Sequence, residues 1–117
     1  MTRTSFTPAV TPNAVAIINS KSDDTYFIME QKKPDSMFDP EEIDLQPHCI
    51  RSIGTQKQVT KWWDALVAKI NWLHAEEKVE IFSRGEGRDY LNMVVFKGTE
   101  VVTLTICTKE KAKALAF

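Results

Sequence analysis

Apolar side chains recur every three to four residues between positions 56 and 76, and neither proline nor glycine interrupts this stretch. This spacing places them on one side of an α-helix, because successive residues of a helix are about 100° apart. Thr55 and Gln58 precede the apolar run with the spacing of a capping box, in which both side chains satisfy free backbone N–H groups. The pattern therefore predicts a helix over residues 56–76 with a buried stripe of Val59, Trp63, Leu66, Ile70 and Leu73.

After residue 77 the apolar residues alternate with polar ones, which is typical of strands with one buried face. The stretches Lys78–Ser83, Asp89–Phe96 and Glu100–Cys107 predict a three-stranded antiparallel meander. A two-residue turn at Lys97-Gly98 would place Met93 opposite Val102. The predicted floor for the helix is then Val79, Ile81, Leu91, Met93, Val95, Val102, Leu104 and Ile106. The opposite face carries Phe82, Tyr90, Asn92, Val94, Phe96, Val101, Thr103 and Thr105.

Before the helix, the β-prone stretches Ala14–Asn19 and Thr25–Gln31 flank a turn-rich connection and predict an N-terminal β-hairpin. Residues 1–13 are rich in Thr, Ser and Pro and predict a loose N-terminal arm. An acidic loop over residues 32–48 contains three prolines, and its segment 35–44 mixes carboxylates with apolar side chains. That segment is expected to be either a lid over the protein's own core or a docking element.

The remaining stretches complete an α+β fold. Cys49–Ile53 predicts a short strand that leads into the long helix, and Thr108–Phe117 predicts a short, lysine-bearing C-terminal helix or tail. The predicted architecture is one long helix packed on an antiparallel sheet. Its order is N-terminal β-hairpin, acidic loop, helix 56–76, three-stranded meander and short C-terminal helix. At 117 residues, positions 1–117 are expected to form a single compact domain.

Composition and charge narrow the class of protein. The chain is 43% hydrophobic and 26% charged, as is typical of a globular domain, and its net charge of −1 argues against a general nucleic-acid coat. Residues 21–48 contain three lysines and eight acids, so the acidic and basic groups are unevenly distributed. Neither a secretory signal nor an apolar stretch of the roughly 18 residues needed to cross a membrane is evident, so we expect a cytoplasmic protein without a membrane partner.

The residues that usually carry chemistry do not form a recognisable motif. His48, Cys49, His74 and Cys107 lack metal-ligand spacing, and the sequence contains no cofactor fingerprint or nucleophile motif. Both cysteines have apolar or β-forming neighbours and are expected to be buried, reduced thiols. The sequence therefore predicts a protein that is not an enzyme and has neither a metal nor a cofactor.

The face of the long helix opposite the apolar stripe is the most unusual surface. It combines Trp72 with Lys57, Lys61 and Lys69, beside the small residues Ala65 and Ala68. Either another segment of the chain covers this tryptophan, or the face contacts a larger protein with an acidic surface. A homodimer through the same face is a further hypothesis, in which acidic residues separate the facing lysines.

Two other groups of residues suggest binding. The turn between the first two meander strands contains Arg84 and Arg88, whose guanidinium groups suit phosphate or carboxylate. Phe82, Tyr90 and Phe96 lie on one face of the same strands, and aromatic side chains on an exposed sheet can stack on single-stranded nucleic acid.

These observations favour a small binding protein that acts by protein–protein contact as an adaptor, inhibitor or regulatory accessory, of the kind that mobile elements and phages encode. Its expected contact residues are Lys57, Lys61, Lys69, Trp72, Arg84 and Arg88. The first alternative is single-stranded nucleic-acid binding through Phe82, Tyr90, Phe96 and the two arginines. The second is a small-ligand or enzymatic domain.

Overall fold

The computed structural model describes residues 10–34 and 48–116. They confirm the α+β class, with a five-stranded antiparallel sheet that has the strand order β2-β1-β5-β4-β3. The elements are α1 Val10–Asn19, β1 Tyr26–Pro34, β2 Cys49–Gly54, α2 Gln56–Ala75, β3 Glu80–Glu86, β4 Tyr90–Lys97, β5 Glu100–Thr108 and α3 Lys109–Ala116.

The long helix forms as its pattern predicts. The Gln58 N–H donates to Thr55 Oγ1 over 3.2 Å, and the Thr55 N–H donates to Gln58 Oε1 over 3.1 Å, which completes the capping box. Val59, Trp63 and Ile70 are buried against the sheet, with Leu66 and Leu73 packed at the edge of the same cluster. These contacts anchor α2, since burying each large apolar side chain contributes about 1.5–3 kcal/mol.

The three-stranded meander is confirmed, but its last turn lies one residue later than predicted. Gly98 and Thr99 form the turn, Lys97 pairs with Glu100, and Met93 pairs with Leu104 instead of Val102. Gly98 has a φ of 61°, which suits glycine because it has no side chain to clash in this conformation. Moving a turn by one residue shifts every pair by two positions. The predicted division of side chains between the two faces is therefore preserved.

The first strand of the predicted N-terminal hairpin is wrong, because Val10–Asn19 forms α1. Ala14 and Ile18, one helical turn apart, are buried on the sheet, whereas Ile17 is exposed. Residues 10–13 therefore begin a helix and do not belong to a loose arm. β1 pairs with β2 and β5 instead. Residues 1–9 and the acidic segment 35–44 lie outside the described residues.

The sheet has a hydrophobic core on each face, so the expectation of a single helical layer was incomplete. α2 covers one face, where Ile28 and Val59 belong to the main core. α1 and α3 cover part of the other face, where Phe27 packs with Ile18 and Ala112. Phe27 and Ile28 are both almost fully buried, which explains why β1 is apolar at successive positions.

Candidate functional site

The outer face of α2 is the surface on which most of the predicted contact residues meet. We use this name for Lys57, Lys61, Ala65, Ala68, Lys69 and Trp72, all of which are exposed. The helix is held to the sheet by its opposite side, so the capping box and the apolar stripe together direct these six side chains towards solvent. Folding thus creates a continuous helical surface that combines small, aromatic and cationic residues.

Trp72 is the apolar centre of this face. Its side chain is 59% exposed, whereas Trp63, on the sheet side of the same helix, is only 7% exposed. A tryptophan side chain can bury about 150–250 Å² of surface. Covering an exposed tryptophan with a partner therefore contributes strongly to the free energy of association. Trp62, the residue before Trp63 on the helix, is 45% exposed and adds apolar surface at the edge of the outer face.

The charge on the outer face is positive. Lys57, Lys61 and Lys69 form no ion pair with any described residue. In the described part of the chain, Glu30 and Asp23 pair with basic residues outside α2 instead. Asp64, at the margin of the face, is its nearest acidic position along the helix. An exposed lysine cluster next to an apolar anchor favours a partner with carboxylates at matching positions.

The two arginines predicted to act together are separated by the fold. Arg84 lies on the α2 side of β3, where its Nη2 donates to Asn71 Oδ1 over 2.9 Å. It lines a cleft of about 330 Å³ between α2 and the β3–β4 hairpin, with Trp63, Val67 and Leu91. Arg88 lies in the β3–β4 turn and lines a different cleft. Each arginine therefore serves a different surface.

The aromatic residues of the meander are only partly brought together. Phe82 is exposed, and its ring centroid lies 5.1 Å from that of Phe96. Tyr90 packs into the core under α1 and α3, and the Lys111 ammonium lies 4.4 Å from the centre of its ring. The aromatic pair lies on the sheet face opposite Arg84, because Arg84 pairs with the α2-facing Met93. A shared platform of three aromatics and two arginines is therefore not assembled.

Two of the residues that commonly carry chemistry, Cys107 and His74, have surroundings that indicate a structural role. Burial raises the pKa of Cys107 from 9.0 to about 12, while the nearby Lys111 lowers it by a smaller amount. Since the thiolate is the reactive form, Cys107 is unsuited to be a nucleophile at neutral pH. Cys49 is exposed on β2, so the expectation that both thiols are buried is wrong for this residue. His74 Nδ1 donates to the Val79 carbonyl oxygen over 3.3 Å.

Within residues 10–34 and 48–116, no three His, Cys, Asp or Glu side chains are grouped closely enough to hold a metal ion. Over the same ranges, each helix is too short or too polar to cross a membrane.

One group of basic residues was not predicted from the sequence. Lys69 from α2 lines a cleft together with Lys32, Arg51 and Lys97 from three different strands. These positions are far apart in the chain, and only the pairing of β2, β1, β5 and β4 brings them to the same side of the sheet. No local pattern could have revealed this arrangement.

The chain was also compared with known proteins. No family model, curated protein or solved structure matches it.

Proposed function

We propose that this protein acts as a non-enzymatic binding protein whose outer face of α2 docks on an acidic surface of a larger protein. The observation that carries this proposal is the 59% exposure of Trp72 beside alanines and beside lysines that form no ion pair with any residue the structure describes. Its role would be that of an adaptor, inhibitor or regulatory accessory.

The apolar part of the face supplies the affinity in this proposal. Tryptophan is enriched among the few residues that dominate binding energy at protein interfaces. Ala68 and Ala65 lie about one and two helical turns before Trp72 along the exposed side, and their short side chains allow a partner backbone to approach closely. A partner side chain seated between the alanines would exclude water from the indole ring.

The lysines supply selectivity. Exposed charges at the rim of an interface chiefly increase the association rate and disfavour partners of the same charge. The association rate of such a complex falls as salt is added. At 0.1 M salt, interactions between exposed charges more than about 10 Å apart are largely screened. We therefore expect capture of the partner to weaken with increasing ionic strength.

The test is a comparative pull-down from a native lysate with four forms of the full chain: wild type, Trp72→Ala, Lys61→Glu/Lys69→Glu and Phe82→Ala. Phe82→Ala is the matched control, since it removes an exposed aromatic side chain from a different surface. A specific partner should be an acidic protein that wild type and Phe82→Ala retain and the other two variants lose. A partner that depends on Phe82, or that none of these substitutions affects, would contradict the proposal.

Loss of binding in Trp72→Ala supports the proposal only if this variant remains folded. Trp72→Ala should change the free energy of unfolding by less than about 1 kcal/mol, because the side chain is largely exposed. Trp63→Ala should cost about 3–5 kcal/mol, because it leaves a cavity in the core. Urea denaturation measures both values. A large loss of stability for Trp72→Ala would show that this residue is a core residue.

A second candidate function is single-stranded nucleic-acid binding, which the contact between Phe82 and Phe96 supports. Titration with oligonucleotides at several salt concentrations tests it, because contacts with phosphates strengthen as the salt concentration falls. Binding that disappears in Phe82→Ala and persists in Trp72→Ala would favour this candidate over protein docking.

A further inference from the structure

A cleft of about 270 Å³ lies between the C-terminal half of α2 and the sheet, beside the outer face of α2. Its apolar lining comes from the helix and from the central strands β4 and β5. The side chains that form this floor are Leu66, Ile70, Leu73, Val95, Val102 and Leu104. The floor is part of the main core, so its position is fixed by the packing that holds the protein together.

The rim of the cleft is charged, and part of that charge is already paired. Glu30 Oε1 accepts a hydrogen bond from Arg51 Nη1 over 2.9 Å, and Glu30 Oε2 lies 3.7 Å from Lys32 Nζ. Lys69 and Lys97 also line the rim, and within the described chain neither forms an ion pair. Among the residues that the structure describes, Glu100 is the other acidic residue of the rim, and cations outnumber carboxylates there by four to two.

An apolar floor under a rim with excess positive charge suits a ligand that has the opposite arrangement. We propose that this cleft binds a small amphipathic carboxylate, with its hydrocarbon part on the floor and its carboxylate at Lys69 and Lys97. Ligand sites usually combine apolar walls with a few polar groups that orient the ligand, and their volumes run from about 300 to 1,000 Å³. The cleft, at about 270 Å³, is slightly below this range, which favours a short hydrocarbon chain.

The two parts of such a ligand make separate contributions. Each methylene group removed from water contributes about 0.8 kcal/mol, so the chain supplies most of the affinity. The ammonium groups orient the carboxylate through charge-assisted hydrogen bonds and disfavour a cationic head group. The cleft shares Lys69 with the outer face of α2, whereas Lys97 lies outside that face, so Lys97→Gln tests this site without altering the protein-docking surface.

The first experiment titrates the full chain with octanoate and follows backbone amide shifts by NMR. Octanol and acetate are matched probes, since octanol has the chain without the charge and acetate has the charge without the chain. We expect saturable shifts around Leu66, Ile70 and Val102 with octanoate, and binding at least about tenfold weaker with either control. Equal affinity for octanol and octanoate, saturable shifts elsewhere, or no saturable binding would each overturn the proposal.

The second experiment removes the rim charge. Lys97→Gln and Lys69→Gln/Lys97→Gln should weaken octanoate binding, the double variant by about tenfold, while octanol binding stays unchanged. Lys57→Gln is the control, because it removes a lysine on α2 that does not line the cleft. These lysines are exposed, so the variants should keep the wild-type amide spectrum outside the substituted positions. Unchanged octanoate affinity in the double variant would also overturn the proposal.

Discussion

Trp63 and Trp72 are two and a half helical turns apart, and this separation gives identical side chains opposite surroundings. The first packs against the sheet and contributes to folding, whereas the second remains exposed on the outer face of α2. Residue type alone does not distinguish these roles. What distinguishes them is the position of each residue on the helix and the side of the helix that the sheet covers.

The two cysteines differ in the same way, and this leads to a prediction about reactivity. In the native protein at neutral pH, a thiol reagent such as iodoacetamide should modify Cys49 and leave Cys107 unmodified, because Cys107 is buried and its pKa is about 12. In denaturant both should react. Peptide mass mapping measures each site, and rapid native labelling of Cys107 would contradict its burial.

Burial of Cys107 also affects stability at alkaline pH. Its pKa is raised from 9.0 to about 12 in the folded state, so the unfolded chain loses this proton at lower pH. The contribution of the protonated thiol to stability is therefore complete below pH 9 and is lost as the pH rises from 9 towards 12. Cys107→Ala should have a shallower decline in unfolding free energy over that range, as measured by urea denaturation. Parallel declines in both proteins would contradict this assignment.

At the scale of elements, α2 ends in a conformation that its sequence does not favour. The Glu77 N–H donates to the His74 carbonyl oxygen over 3.0 Å, and the Lys78 N–H donates to the Leu73 carbonyl oxygen over 2.9 Å. This pair of bonds is a Schellman motif, in which glycine commonly occupies the left-handed position. Here Glu77 occupies it, with a φ of 61°. The chain therefore turns into β3 at the cost of some backbone strain.

This observation predicts a stabilising substitution. Glu77→Gly should raise the free energy of unfolding by about 1 kcal/mol, because glycine avoids the clash of Cβ with the backbone in the left-handed region. Glu77→Ala is the control, since alanine removes the carboxylate but keeps the Cβ atom. It should give no comparable gain. Thermal unfolding of the three proteins measures the difference. Equal stability of the glycine and alanine variants would show that the left-handed backbone at Glu77 does not destabilise the protein.

At the scale of the whole molecule, β5 connects the two cores. It pairs with β1 on one side and with β4 on the other, and its side chains are buried towards both α2 and the α1–α3 layer. β3 lies at the edge of the sheet and is largely exposed. Opening β5 would disrupt both cores, so its amides should become accessible only when the protein unfolds globally.

Native-state hydrogen exchange tests this arrangement. The central amides of β5 should exchange at least about tenfold more slowly than the amides of β3 that are hydrogen-bonded to β4, because edge strands open locally at lower free-energy cost. Comparing only hydrogen-bonded amides controls for simple exposure of the edge. Similar exchange rates in the two strands would show that the sheet opens as one unit and would contradict the central role of β5.

The N-terminal segment shows where sequence patterns lose their predictive power. Ala14–Asn19 contains a short apolar run, and such a run fits a strand or one face of a helix equally well. In the folded protein, β1 has partners on both sides in β2 and β5, so the sheet position that a hairpin partner would take is occupied. The apolar side chains of α1 are buried by packing across the sheet face instead.

The long helix, its cap, the alternating strands of the meander and the buried side of this helix and these strands follow from the sequence, because they depend on local spacing and local hydrogen bonds. Contacts between distant segments, by contrast, make α1 a helix and place Arg84 and Arg88 on different surfaces. The same contacts bring Lys69 and Lys97 to one cleft. These features depend on which distant segments pair, and the free energy of that pairing belongs to the whole fold rather than to any stretch of the chain.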